Sequence, residues 1–143
     1  MAAWRRIALE LFPEADEFTI DDWFSSYALF FWLLPFSRAA HQRDDEDALR
    51  RSYGFAQWCW HQRRGSELRN AVAVSFYEHL FDHWKLHEQV VPWLELGVRS
   101  SIWTLWEDRL DQDKRKELRR LFDREDGPEK WRQLRAVVPH ARD

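Results

Sequence analysis

Apolar side chains return every three or four residues from Trp4 to Val138, the spacing that lines one face of a helix, and only a few residues separate one such run from the next. A chain with this period buries its apolar surface by packing helix on helix. Four Gly and five Pro in 143 residues lack the turn density of a β-sandwich. No internal repeat, low-complexity tract or Gly/Ser linker divides the chain. The expectation is an all-α fold, a single domain over residues 1–143 built as a bundle of about six or seven helices around a central buried helix.

The runs can be placed one by one. Trp4, Ile7, Ala8 and Leu11 mark a first helix that Pro13 ends. Thr19 or Asp21 is expected to cap a second, with Trp23, Phe24, Tyr27, Phe31 and Leu34 on one face and Phe30, Trp32 and Leu33 extending the apolar surface around it. Pro35 is expected to kink or break that run, leaving Arg38 to Asp47 as a polar connection. Leu49, Tyr53, Ala56 and Trp60 give a third helix, and Arg63-Arg64-Gly65-Ser66 reads as its stop followed by the next cap. The stretch Glu67 to His87 contains no Gly or Pro and is apolar around most of its circumference, so it is expected to be one long helix at the centre. Pro92 suits the first turn of another helix running past Gly97 through Trp106, Leu118, Leu121 and Phe122 mark one more, and Trp131, Leu134 and Val138 a short last one after Gly127-Pro128.

Charge and cysteine usage narrow the function. Twenty-two basic against 25 acidic residues leave a net charge of −3, which provides no field to draw nucleic acid. Basic Arg115, Lys116, Arg119 and Arg120 are interleaved with acids, the pattern of a solvated helix face, so no nucleic-acid partner is expected. The longest apolar run, Tyr27 to Phe36, is far shorter than the roughly 20 residues that span a bilayer. Met1-Ala-Ala-Trp-Arg-Arg is amphipathic from the start, and Cys59 has no second cysteine to pair with. A cytoplasmic protein with no membrane association is expected.

Three features carry chemistry. In Glu78-His79-Leu80-Phe81-Asp82-His83, followed by His87, two imidazoles stand one helical turn apart, the spacing that ligates a divalent metal from one face. His41 would complete the set if the bundle closes that way, with Glu78 or Asp82 as ligand or base of a hydrolase-like enzyme. Buried, hydrogen-bonded histidines account for the same pattern, and neither a His-Glu-x-x-His signature nor a paired Glu-x-x-His is present. Cys59, flanked by Trp58 and Trp60, cannot reach His61 two residues on across a helix, and Ser75 lacks a nucleophile elbow. No catalytic residue and no cofactor is therefore assigned. The third feature is recognition surface: the acidic Asp44, Asp45, Glu46 and Asp47, a strip of Glu67, Glu78 and Asp82, and aromatic rings such as Trp32, Trp58, Trp93 and Trp103. An aromatic second helix would equally serve self-association into a homo-oligomer.

The chain resembles a family of small bacterial helical proteins at Tyr53-Gly54-Phe55-Ala56-Gln57-Trp58 and along Ser66 to Leu80, whose core is Asn70-Ala71-Val72-Ala73-Val74-Ser75-Phe76-Tyr77-Glu78-His79-Leu80. Leu11-Phe12-Pro13-Glu14 and Leu33-Leu34-Pro35-Phe36 fit the same pattern. The resemblance covers residues 1–110 and leaves 111–143 as a charged helical extension. Members look like immunity proteins, antidotes that bind and block a cognate bacterial toxin. The resemblance implies a protein partner and a binding role, and it brings no catalytic residues.

Overall fold

The computed structural model describes residues 2–15 and 25–138, and every regular element among them is helical. Seven α-helices follow in order: α1 (Ala3–Leu11), α2 (Ser26–Gln42), α3 (Glu46–Trp60), α4 (Glu67–Ser75), α5 (His87–Val90), α6 (Leu96–Arg109) and α7 (Gln112–Phe122). Short 3-10 turns join them, and a longer 3-10 segment, Lys130–Val137, closes the described chain. The expected cap at Thr19 or Asp21, and the rings of Trp23 and Phe24, lie outside the described residues.

Local chemistry explains most of the boundaries. Ser25, Asp45, Ser66 and Asp111 each accept a hydrogen bond from the amide three residues on, capping α2, α3, α4 and α7. Gly65 has φ 82°, the left-handed conformation that ends the α3 connection just before the Ser66 cap. Arg69 caps α3 from the other side: its Nη1 donates to the Trp60 carbonyl at 2.6 Å while its guanidinium lies 3.8 Å from the Trp60 ring centre.

Three expectations are corrected. Pro35 does not break α2, which runs on to Gln42; Pro35 and Phe31, whose carbonyl loses its amide donor, sit on the exposed flank where water can replace the bond. Pro92 lies in a 3-10 turn, Val91–Trp93, and α6 starts only at Leu96. The long helix over Glu67 to His87 does not form. α4 stops at Ser75, and the chain continues through 3-10 turns at Tyr77–His79 and Trp84–Leu86. Side chains from distant elements add to the turn hydrogen bonds that these carbonyls already accept from Leu80 and Asp82: Trp106 Nε1 donates to Tyr77 O at 2.7 Å and Arg38 Nη2 to His79 O at 2.9 Å. The break lets Tyr77, Leu80, Phe81 and Leu86 all turn inward.

The centre of the bundle is consequently α3. It packs against α1, α2, α4 and the C-terminal 3-10 segment, and nine of its residues are buried. Phe12, Phe30, Tyr53, Phe55 and Phe76 meet through ring contacts with centroids 5.8–6.0 Å apart, and Tyr53 stacks on Trp93 at 5.4 Å. Trp93 is buried, while Trp32, Trp58 and Trp103 are half-buried against the core. These four rings therefore serve packing first. Among the described residues the large exposed apolar side chains are Phe31 and Leu96. No helix among them is long and apolar enough to cross a membrane.

Candidate functional site

Helical spacing puts Gly54, Gln57, Trp58 and His61 on one flank of α3. The C-terminal 3-10 segment runs along that flank, and Trp131, Leu134, Arg135 and Val138 face it across a cleft of about 730 Å3. Gly54 makes the approach feasible. A Cβ there would lie 2.6–2.7 Å from three side-chain carbons of Val137, so only glycine lets the segment come this close. Glu95, the residue before α6, reaches in from the third side.

The polar groups of this cleft are incompletely matched. Gln57 Nε2 donates to Glu95 Oε2 at 2.6 Å. His61 Nε2 lies 3.0 Å from the same oxygen and 2.8 Å from Oε1, but off the line of a hydrogen bond to Oε1. Glu95 Oε1, Gln57 Oε1 and Trp131 Nε1 are all buried and all without a hydrogen-bond partner. Buried polar atoms are almost always satisfied, and leaving one bare costs about 1–3 kcal/mol. Two acceptors and one donor on residues that line one cavity are complementary to a guest carrying donors and an acceptor. The carboxylate makes a cationic donor the better match. Arg132 and Arg135 stand at the rim.

The acidic residues singled out in the sequence are dispersed over three places. Asp45 caps α3 through the Ala48 amide at 3.1 Å and also accepts from Arg43; these bonds hold its carboxyl below the usual range. Glu46 pairs with Lys130 at 3.0 Å and Asp47 with Arg51 at 2.9 Å. Asp44 is exposed with φ 54°, an uncommon backbone for a residue other than glycine. The strip of Glu67, Glu78 and Asp82 does not exist as one helix face, because Glu67 begins α4 while Glu78 and Asp82 lie beyond its end. Glu78 and Asp82 instead gather around Arg109, which binds Asp82 through Nε at 2.9 Å and Nη2 at 2.6 Å.

The histidines are equally separated. His79 Nδ1 is 2.9 Å from Asp82 Oδ2, and its Nε2 is 3.5 Å from Glu78. Burial pulls the Asp82 carboxyl up, but hydrogen bonds and charge from Arg109 and His79 outweigh it and hold the group below the usual carboxylate range. His83 falls in the turn before Trp84, no longer one helical turn from His79. His41 is buried in α2 and shares a 2.7 Å hydrogen bond between Nε2 and the Tyr53 hydroxyl. Burial, then the nearby Lys130 charge, lower its pKa to about 4, so the ring is neutral at pH 7. Among the described residues His41, His79 and His83 do not come together as a ligand set. Cys59 is fully buried and burial pushes its thiol up, which makes it a core side chain.

Gln57, Glu95 and Trp131 were not distinguishable by type or spacing. One local signal did exist: an isolated glycine inside a helical run marks a close approach, and Gly54 is such a residue.

A family model described as a domain of unknown function, DUF7674, matches residues 5–110. No curated protein and no solved structure matches the chain.

Proposed function

The chain belongs to the DUF7674 family, and we propose that it is a binding protein of immunity type, an antidote that holds a protein toxin by taking one of its basic side chains into the cleft between α3 and the C-terminal segment. One observation carries this reading: among the residues that line one cavity, Gln57 Oε1 and Trp131 Nε1 are buried without a hydrogen bond, and Glu95 Oε1 has only the 2.8 Å approach of His61 Nε2. An arginine or lysine head group would donate to the two oxygens, and a carbonyl beside it would accept from the Trp131 indole. Lys130 ties the same C-terminal segment to Glu46, so the exposed Asp44 and Asp47 lie near its start and supply negative charge for approach. The resemblance to immunity proteins supports the choice of a toxin as partner.

The test uses the Trp131 indole proton as reporter in nuclear magnetic resonance, assigned with Trp131→Phe. Titration with acetyl-Gly-Arg-Gly-amide should move it saturably, acetyl-Gly-Glu-Gly-amide should not, and Glu95→Gln should abolish the response. An indole signal indifferent to both arginine and lysine peptides would remove the cleft as a receptor for basic side chains. The antidote role has its own readout. Growth arrest by the product of a neighbouring gene should be relieved by the wild-type chain and not by Glu95→Gln, and rescue by neither would sink the toxin partner.

A further inference from the structure

A second set of side chains, none of which lines the cleft, has the composition of a metal site. His87 and Glu88 open α5, and Glu117 projects from the middle of α7. Among the described residues these three are the set whose ligand atoms all lie within 4.8 Å of one another.

The histidine is already arranged as a ligand. Its Nδ1 lies 2.7 Å from the Trp84 carbonyl. A carbonyl can only accept, so Nδ1 carries the proton and the neutral ring has its lone pair on Nε2. The ring also lies flat on Trp84, with centroids 3.9 Å apart and planes within 4°, which fixes its direction. Nε2 is buried and has no hydrogen-bond partner. A backbone carbonyl holding one ring nitrogen while the other is left free is how metal-bound imidazoles are oriented. Glu117 accepts a hydrogen bond from Arg120. That bond occupies Oε1 and leaves the second oxygen free for a cation.

We propose that His87, Glu88 and Glu117 bind one zinc ion, with His87 Nε2 and an oxygen from each carboxylate as protein ligands and water in the fourth position. One imidazole with two carboxylates suits zinc better than the all-oxygen shells of calcium or magnesium. The ligand atoms must draw in from their present separation to reach zinc at about 2.0–2.2 Å. Glu88 is exposed and Glu117 half-exposed, so side-chain rotation suffices. The ion would fasten α5, inside the DUF7674 match, to α7, which lies beyond its end.

The experiment titrates the full, untagged chain with zinc chloride by calorimetry and follows the histidine ring nitrogens by 15N resonance. One zinc per chain is expected, with a large shift of Nε2 in one imidazole that is absent from His87→Gln. Glu117→Gln should weaken binding about tenfold or more, whereas the His79→Gln/His83→Gln double variant should bind as the wild type does. Circular dichroism checks that each variant is folded, and Glu88→Gln/Glu117→Gln replaces His87→Gln if the latter is not. Absence of saturable zinc binding would overturn the site, and so would a single zinc that persists in both His87→Gln and the double glutamate variant.

Discussion

Two positions on one side of α3, one helical turn apart, bury polar groups in opposite ways. At the first, Tyr53 sits at 1% exposure, its hydroxyl bonded to His41 and its ring stacked on Trp93. At the second, Gln57 and Glu95 share a bond yet each keeps a buried oxygen without a hydrogen-bond partner, and the buried Trp131 nitrogen has none either. The first arrangement is complete and contributes to folding. The second leaves hydrogen-bonding capacity that folding alone does not use, and such capacity marks a place prepared for another molecule. One helix thus separates a structural polar pair from a receptive polar cluster about one turn apart.

The sharpest test of the completed pair is acid. His41 titrates near 4 in the folded chain against an ordinary value of 6.5, so between those pH values the unfolded chain binds the extra proton and the folded chain does not. Stability should therefore fall as pH drops from 6.5 to 4, by on the order of 3 kcal/mol in total. Denaturant midpoints of the wild type and His41→Gln should converge over that window. A constant gap between them would contradict the assignment of a neutral buried ring.

At the cleft, Gly54→Ala is expected to destabilise by about 1–3 kcal/mol through overpacking against Val137. Helix propensity alone predicts the opposite, a gain of about 0.5–1 kcal/mol for alanine over glycine. The sign of the change in urea midpoint decides between them, and faster proteolysis within residues 130–137 would locate the displacement. The smallest effect on stability should come from Glu95→Gln, within about 1 kcal/mol in the same assay, because the shape is kept and a buried charge is removed. If that variant unfolds the protein, the Gln57–Glu95 pair is structural and the contrast between the two positions disappears.

Helix type was legible, and the edges that were legible are ones set by local capping chemistry. Gly65-Ser66 is read from adjacent residues, and the structure uses both as the sequence implies. The end of α4 at Ser75 was not legible. Nothing in Glu67 to His87 breaks a helix by itself, and the groups that bond its carbonyls from outside, Trp106 and Arg38, are 29 and 41 residues away from Tyr77 and His79. That one break moved His79 off the expected face and brought it to Asp82 instead. The cleft was hidden for the same reason. Gln57 and Glu95 are 38 residues apart, and neither type nor period announces a pair made by tertiary packing. His87 was visible as a histidine, but its partner Glu117 comes from a charged helix that reads as a solvated face.

The close contact at Gly54 also orders events in time. Gly54 and Glu95 precede the wall that covers them, since Trp131 to Val138 come later in the chain. As the polypeptide leaves the ribosome, the aromatic centre around α3 can collapse while this flank still lies open to water. The cleft therefore lacks one of its walls until residues 130–137 have emerged and settled against α3.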